Sequence, residues 1–214
     1  MFTNKYIFVY STILVVVAAA ILATAAVGLK PYQEANVKIE KMQQLLSCVG
    51  ITSTPKNAEE LYNQYFTEEL NIDKTGNVCT INNATKPVYI CTKDGKKTYV
   101  IPVNGKGLWG AIWGNVALSD DLTTIVGVTF DHKSETPGLG AEITTPSFQK
   151  QFDGKTIFEG KNFTSVKVDK RMGKDNPHAV DAISGGTITS KGVSAMLYDC
   201  LSFYVPYFNK LKAK

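Results

Sequence analysis

The sequence has few of the residues that build metal centres and disulfide scaffolds. Its 214 residues include only four cysteines and two histidines, and no Cys-x-x-Cys pair occurs. Iron–sulfur clusters and structural zinc sites need closely spaced cysteine and histidine ligands, so we expect neither from this chain alone. We expect Cys48 and Cys200 to face the core, whereas Cys79 and Cys91 flank a predicted hairpin and could pair in an oxidising compartment.

The chain also lacks the motifs of nucleic-acid binding and of common catalytic sites. Its formal net charge is only +4 and is spread along the sequence, with no interleaved basic and aromatic stripe. There is no P-loop, no dinucleotide fingerprint and no G-x-S-x-G. His132 and His178 have no evident triad partners, so we expect surface or structural roles for them. These absences argue against a stand-alone catalyst.

Long hydrophobic runs are absent apart from one near the N-terminus. Tyr6 to Leu29 contains no charged residue and is long enough for a helix that spans a bilayer. The alternative is a cleaved signal peptide, because Ala23-Thr24-Ala25 fits a cleavage site, but the apolar run is longer than such peptides need. We expect residues 1–30 to be a retained membrane anchor and residues 31–214 to be one exported domain.

The exported part begins with helical patterns. Pro31 is expected to mark the exit from the anchor, followed by a helix from Tyr32 to Ser47 that Gly50 ends. A second helix is predicted from Asn57 to Leu70, because Pro55 precedes it and glutamates lie in its first turn.

Strand patterns then follow. Val88–Thr92 and Thr98–Val103 are predicted to form a hairpin joined at residues 94–97, and Ala111–Leu118 and Thr123–Asp131 a second pair. Two more short strands are expected near Thr156–Phe158 and Ser165–Val168, with a short helix starting at Thr145-Pro146. The predicted fold is therefore α+β, with an N-terminal transmembrane helix and one domain whose antiparallel sheet is flanked by helices.

The most informative stretch is the loop from Asp181 to Val193. Apolar residues from Val193 to Tyr204 recur at helical spacing, so Thr189 or Ser190 is the expected N-cap. Gly185-Gly186-Thr187 would then lie at a helix N-terminus, where free N–H groups favour a bound anion. Lys191 in the first turn would oppose the helix dipole unless a phosphate lay nearby. A plain loop and helix cap, without a ligand, remains the alternative.

This loop resembles the flavinylation motif of the FMN-binding domain family, D-x-x-[ST]-G-A-T-x-[ST]. Asp181, Ser184, Gly185, Thr187 and Thr189 match it, while Gly186 replaces the usual alanine. The resemblance implies that FMN is attached covalently, by a phosphoester bond to the Thr187 hydroxyl. The small-for-small change at Gly186 is expected to loosen the loop without blocking the phosphate.

Two further stretches are similar to the same family. They are His132–Ile143, which contains Thr-Pro-Gly-Leu-Gly, and Gly107–Gly110. A separate run, Ala25–Gln33 at the end of the anchor, is similar to the C-subunit family of sodium-translocating NADH:quinone reductases (Nqr). The G subunit of the related Rnf complex, a ferredoxin:NAD oxidoreductase, has the same domain and motif and is the alternative.

The resemblance and the residue chemistry together imply a set of flavin contacts. The phosphate end is expected to meet the loop around Thr187, comprising Asp181, Ser184, Gly185, Gly186, Thr189 and Lys191. Leu108, Trp109 and Leu139 are the expected apolar contacts of the ring, with Thr136 and Gly140 in the same loop as Leu139. Glu135 is expected to order the loop or to meet the ring edge, although a solvated surface charge is equally consistent with the sequence.

The implied function is that of an electron relay within a membrane complex. The resemblance implies a six-subunit Nqr assembly in which this FMN receives electrons that originate from NADH and passes them towards quinone, coupled to sodium export. It also implies a separate magnesium-dependent flavin transferase that uses FAD, and a single-pass protein of the bacterial inner membrane with its domain on the periplasmic side. The alternative of a different class is a membrane-anchored assembly or structural protein without flavin.

Overall fold

The structure is a computed structural model that describes residues 3–170, 173 and 175–213. The chain divides into two compact units, residues 1–41 and residues 42–214. The first helix, α1, runs without interruption from Asn4 to Cys48, and Pro31 lies inside it. The helix predicted from Tyr32 to Ser47 is thus continuous with the preceding residues and not a separate element: the helix formers on both sides of Pro31 outweigh the loss of one backbone hydrogen bond. Gly50, with a φ of 72°, follows its end as predicted.

The apolar part of α1 has the length and composition of a membrane span. Its side chains between Tyr6 and Leu29 are exposed in the structure, as expected for a helix whose packing partner is lipid. A cleavable signal sequence would meet the same criteria, so the predicted anchor stays a prediction.

The second predicted helix is only half as long as expected. Helix α2 covers Ala58–Tyr65, and the chain then enters strand β1, Phe66–Ile72. Phe66 and Ile72 are buried in the sheet, and β1 pairs with a later strand along its whole length. Tertiary pairing here overrides a local sequence that also suits a helix.

A six-stranded sheet forms the centre of residues 42–214. Its other strands are β2 (Val78–Cys79), β3 (Lys86–Lys93), β4 (Lys96–Lys106), β5 (Ala111–Leu118) and β6 (Ile125–His132). Their order is β2-β1-β3-β4-β5-β6, with every neighbouring pair antiparallel. Both predicted hairpins are confirmed, and Asp94 and Gly95 take the positive φ angles that a tight two-residue turn requires. The predicted α+β class is also confirmed.

The chain after β6 consists of short elements and two helices. A 3-10 turn at Gly140–Thr144 leads into helix α3, Pro146–Gln149, and a second 3-10 turn at Lys150–Phe152. Strands β7 (Phe158–Glu159) and β8 (Asn162–Phe163) form a hairpin, and β9 (Lys167–Asp169) and β10 (Ala179–Asp181) form a parallel pair. Helices α4 (Thr187–Ser202) and α5 (Val205–Lys212) complete the domain. The predicted short strands lie within about two residues of β7 and β9.

Helix α4 is fixed against β4 by two glycines. Gly105 of β4 lies so close to Met196 that a Cβ there would meet the Met196 Cβ at 2.7 Å, and Gly192 faces the end of the same strand. The apolar stripe predicted from Val193 to Tyr204 is buried and joins the core with Val103 and Ile112 of the sheet. This packing sets the N-terminus of α4 beside the loop that joins β4 to β5.

The four cysteines are free thiols in the structure. Cys48 and Cys200 are buried in the core, as predicted. Cys79 on β2 and Cys91 on β3 are separated by the intervening β1, where Cys79 pairs with Asn71 and Cys91 with Phe66. The suggested bond between Cys79 and Cys91 is therefore wrong, because a disulfide needs Cα atoms within about 7 Å of each other.

Candidate functional site

Three loops meet at the N-terminus of α4 and enclose a cleft of about 230 Å³. They are the β4–β5 loop (107–110), the segment after β6 (133–140) and the turn that precedes α4 (182–186), here called the three cleft loops. The lining residues are Leu108, Trp109, Glu135, Thr136, Leu139, Gly140, Gly185, Gly186, Thr187, Ile188 and Thr189. All of these except Ile188 are among the candidate residues of the sequence analysis.

The β4–β5 loop projects an aromatic side chain at its tip. The Gly107 N–H donates to the Gly110 carbonyl at 2.8 Å, which closes a four-residue loop around Leu108 and Trp109. Trp109 is 67% exposed, and Leu108 is exposed beside it. Trp109 therefore has no core role, and together with Leu108 it presents an apolar surface at the cleft that suits a ligand contact.

The segment after β6 folds back over the cleft. The Leu139 N–H donates to the Thr136 carbonyl at 3.1 Å, and Gly138 has a φ of 75°, so the turn between them is tight. Leu139 is exposed and lies against Gly185, where a Cβ would collide with its Cδ2 atom. Gly185 itself has a φ of 75°, which favours glycine on conformational grounds as well.

The N-terminus of α4 leaves donors free for a ligand. The helix starts at Thr187 with Gly186 as its N-cap, and this N-cap makes no side-chain hydrogen bond. The Ser190 N–H is the first to bond within the helix, to the Gly186 carbonyl at 2.9 Å. The N–H groups of Thr187, Ile188 and Thr189 therefore have no intrahelical partner. The predicted N-cap at Thr189 or Ser190 is wrong, since the observed N-cap, Gly186, lies three residues before Thr189 and four before Ser190.

Glu135 is the buried acid of the cleft. It is 5% exposed, and its Oε1 accepts the N–H groups of Trp109 at 2.8 Å and Gly110 at 3.3 Å. Its Oε2 accepts the Thr189 hydroxyl at 2.6 Å. Burial raises the pKa of this carboxyl, but the three donors and nearby His132 outweigh burial, so its pKa lies below the usual value. The alternative of a solvated surface charge is wrong, because these donors hold the charge inside.

The hydroxyl of Thr189 is turned away from solvent. Thr189 is 1% exposed and donates to Glu135, whereas Thr187 is exposed at the mouth of the cleft. Among the hydroxyls predicted to add donors for a phosphate, that of Thr189 is thus already engaged. The resemblance assigned the covalent role to Thr187, and that hydroxyl is accessible.

Three predicted contact residues lie outside the cleft lining. Lys191 is the fifth residue of α4 and lines a different groove with β9 and Tyr198. The Asp181 carboxylate accepts the Gly173 N–H at 2.9 Å. Ser184 is exposed beside the turn. Lys191, Asp181 and Ser184 are therefore not among the residues that line the cleft, although Ser184 belongs to the turn that precedes α4.

Sequence reasoning missed Ile188. It is 57% exposed and stands next to Thr187 at the cleft mouth. Its position is five residues before Val193 and therefore off the buried stripe of α4. An apolar residue on the solvent side of a predicted helix was the signal that could have identified it.

Both histidines make structural contacts. His132 Nδ1 accepts the Glu135 N–H at 3.2 Å. His178 Nδ1 lies 2.7 Å from the Thr156 carbonyl and bridges the segments before β7 and β10. The structural roles expected for them are consistent with these contacts.

An exposed threonine at a helix N-terminus with free N–H groups, beside an apolar rim, suits a ligand that has both a phosphate and an aromatic ring. The FMN-binding domain family matches residues 107–202, a range that contains all three cleft loops. This part of the chain is therefore similar to the FMN-binding class of domains.

Individual relatives identify the family to which the chain belongs. The chain is 34% identical to the C subunit of the Na(+)-translocating NADH-quinone reductase of Neisseria meningitidis, over 92% of this chain and 90% of that protein. It is 32% identical to the corresponding C subunit of Haemophilus ducreyi, over 94% and 91%. The chain belongs to the family of Na(+)-translocating NADH-quinone reductase C subunits. This result favours the Nqr assignment over the Rnf alternative.

Solved structures agree with this assignment. The C subunit of the reductase from Parabacteroides distasonis superposes with a TM-score of 0.80 at 38% identity, covering 84% of this chain and 96% of that one. The NqrC of Shewanella oneidensis gives 0.72 at 28% identity, covering 84% and 100%.

Proposed function

We propose that this chain is the electron-carrying C subunit of a sodium-pumping NADH:quinone reductase, with FMN joined to Thr187 by a phosphoester bond. The observation that carries the proposal is the exposed Thr187 hydroxyl at the N-terminus of α4, inside a cleft with an apolar rim. Family membership supports the same cofactor and the same complex.

The residues of the α4 N-terminus suit a phosphodiester. Attachment to Thr187 leaves the FMN phosphate with a charge of about −1, which the free N–H groups and the positive end of the helix dipole favour. Lys191 is not needed in this arrangement, and no lysine or arginine lines the cleft within the described part of the chain. Gly185 and Gly186 allow the backbone to approach the phosphate closely.

The rim of the cleft suits the ring of a flavin. Leu108, Trp109, Leu139 and Ile188 are four of the few large apolar side chains that residues 42–213 expose, and all four line this cleft. An apolar ligand surface would remove them from water. When bound, the flavin supplies one- and two-electron chemistry, while the chain holds it in place.

The size of the cleft supports a relay. Pockets that enclose drug-sized ligands typically measure about 300–1,000 Å³, and this cleft measures about 230 Å³. It would hold part of a flavin and leave the remainder accessible to a neighbouring protein of the complex. An accessible ring suits electron transfer between subunits better than chemistry on a small substrate.

Attachment requires a separate activity. We propose that a flavin transferase presents FAD with magnesium, and that the Thr187 Oγ attacks the phosphorus of the FMN half. The bond between the two phosphates breaks, AMP leaves with the bridging oxygen, and the hydroxyl proton is released. The exposure of Thr187 is compatible with access by such an enzyme.

The proposed location is the bacterial inner membrane. The apolar stretch of α1 would span the bilayer once, with residues 42–214 on the periplasmic side, alongside the other Nqr subunits. Covalent attachment suits that location, because free flavin is scarce outside the cytoplasm and a reversibly bound cofactor would be lost.

Co-expression with a flavin transferase tests the proposal. The full chain should run on a denaturing gel as a band with flavin fluorescence when the transferase is present, and as a dark band when it is absent. A dark band in both lanes would contradict the proposal and favour a structural or assembly protein.

A further inference from the structure

Glu135 forms hydrogen bonds with two of the segments that border the cleft and belongs to a third. It belongs to the segment after β6, accepts two N–H groups from the β4–β5 loop, and accepts a hydroxyl from the first turn of α4. Its own N–H is bonded to His132, at the end of β6. A single carboxylate thus joins three segments that are far apart in sequence.

The space around this carboxylate is made by glycines. A Cβ on Gly107 would lie 2.6 Å from the Glu135 Oε1. A Cβ on Gly140 would meet the Glu135 Oε2 and would lie 2.5 Å from the Thr189 Oγ1. Since real Cβ atoms do not approach oxygen so closely, a side chain at either glycine would force the Glu135 carboxylate to shift.

We propose that Glu135 is the positioning residue of the cleft, and that Thr189 serves as its hydrogen-bond partner and not as a ligand of the phosphate. The pair fixes the N-terminus of α4 relative to the Trp109 loop, which sets where an adduct on Thr187 meets the apolar rim. This inference deepens the proposed function and rests on it for the consequence to flavin attachment.

The chemistry of the pair explains why both groups are needed. A buried carboxylate that loses a donor retains its charge without full compensation, so the loops would rearrange to bring water to it. Serine in place of Thr189 keeps the hydroxyl, whereas valine keeps the shape and removes the donor. Glutamine in place of Glu135 keeps an acceptor for the Trp109 and Gly110 amides and can donate to Thr189, so it retains the contacts without the charge.

Amide hydrogen exchange in the chain without flavin tests the proposal directly. Exchange at Trp109 and Gly110 is expected to accelerate at least about tenfold in Glu135→Ala and about threefold or more in Thr189→Val. Glu135→Gln and Thr189→Ser are expected to stay within about twofold of wild type. Glu142→Gln is the matched control, because Glu142 also accepts one loop N–H, that of Gly138, but lies outside the cleft lining.

Flavin attachment supplies the second measurement. With the transferase, FAD and magnesium, the rate of attachment to Thr189→Val should fall at least about fivefold, and Thr189→Ser should restore it. The assay is run at a temperature where every variant is folded. Loss of attachment and its rescue by serine then report the hydroxyl at residue 189 and not global unfolding. Unchanged exchange in Glu135→Ala, or equal loss in Thr189→Ser and Thr189→Val, would overturn the inference.

The proposed function and the positioning role of Glu135 can be refuted independently of each other. If the wild-type chain accepts no flavin, the proposed function fails, and hydrogen exchange in the unmodified chain still decides whether Glu135 holds the loops. If Glu135→Ala does not fold, Thr189→Val and Thr189→Ser give the same decision, because they change only the partner of the carboxylate.

Discussion

Helix α4 borders two open spaces, and the smaller one is the proposed flavin site. The cleft at its N-terminus measures about 230 Å³, whereas the groove along its side, between α4 and β9, measures about 480 Å³. The side groove has Lys167, Lys191, Asp169 and Asp199 together with exposed Tyr198. Of these two spaces, only the cleft combines an exposed hydroxyl, unbonded helix N–H groups and a buried carboxylate. We therefore base the choice of the cleft as the candidate flavin site on its hydrogen-bonding groups and not on its volume.

Replacing the proposed attachment residue should remove the function that distinguishes the cleft from the side groove. In Thr187→Ala no atom remains to form the phosphoester, so we expect no covalent flavin and a loss of NADH-driven quinone reduction by the complex of at least about 100-fold. The measurement is flavin fluorescence on a denaturing gel together with turnover of the assembled complex. Thr187→Ser is the control, because it keeps a hydroxyl and should retain attachment. Flavin on the alanine variant would show that the acceptor lies elsewhere.

Adding one methyl group inside the cleft should have the next largest effect. In Gly140→Ala the Cβ would collide with the Glu135–Thr189 pair. We expect attachment to slow about tenfold and the free energy of unfolding to fall by about 1–3 kcal/mol, measured by denaturant titration. Gly160→Ala is the control: it strains a turn with a φ of 59° in open space, outside the three cleft loops. Equal attachment by both variants would argue against a tightly built cleft.

The two exposed aromatic residues beside α4 offer a matched test of ring binding. Trp109 is 67% exposed in the cleft and Tyr198 is 52% exposed in the side groove. We expect Trp109→Ala to change the absorption and raise the fluorescence of the attached flavin, since an aromatic contact is removed. Tyr198→Ala should leave both spectra unchanged. Spectra of the two purified variants that shift equally would contradict the assignment of the ring to the cleft.

Lowering the pH should reduce the free energy of unfolding, because Glu135 becomes protonated. Its pKa in the folded chain lies below the ordinary 4.5, so its contribution to stability is complete above that value and is lost as the pH falls through the folded pKa. We therefore expect the difference in unfolding free energy between wild type and Glu135→Gln to be largest near neutral pH and to shrink below about pH 4.5. Denaturant titrations at several pH values measure it, and a difference that grows on acidification would contradict the assigned direction.

The smallest effect is expected for Lys191. From the sequence, Lys191 in the first turn of α4 was expected to meet the phosphate end of the flavin. The structure places it in the side groove, so Lys191→Met should leave the attachment rate within about 1.5-fold of wild type. A clear loss, measured in the same transferase assay, would show that the side groove takes part in binding.

Local patterns predicted the framework of the domain well. The hairpin at Asp94-Gly95 and the buried stripe from Val193 to Tyr204 each follow from a short-range rule, and both are confirmed. The strand at Phe66–Ile72 was missed because its conformation depends on pairing with β3, which lies about 20 residues further along the chain. The start of α4 was misplaced because hydroxyl residues usually cap helices, whereas Gly186 does so here and leaves the first amides open.

Most lining residues of the candidate site were predictable from the sequence, but its hydrogen bonding was not. Spacing and family resemblance indicated Thr187, Trp109 and Leu139, which the fold then brings to one cleft. That Thr189 donates to Glu135 depends on the approach of α4 to the segment after β6, a contact between residues 54 apart in sequence that no local pattern encodes.

The central claim is that Thr187 carries the flavin, and peptide mapping tests it most directly. The full chain, matured with the transferase, is digested and the peptide that contains residues 181–191 is fragmented in a tandem mass spectrometer. We predict an added mass of FMN less one water on Thr187, with Ser184, Thr189 and Ser190 unmodified. An unmodified peptide, or the adduct on one of those neighbouring hydroxyls, would contradict the account.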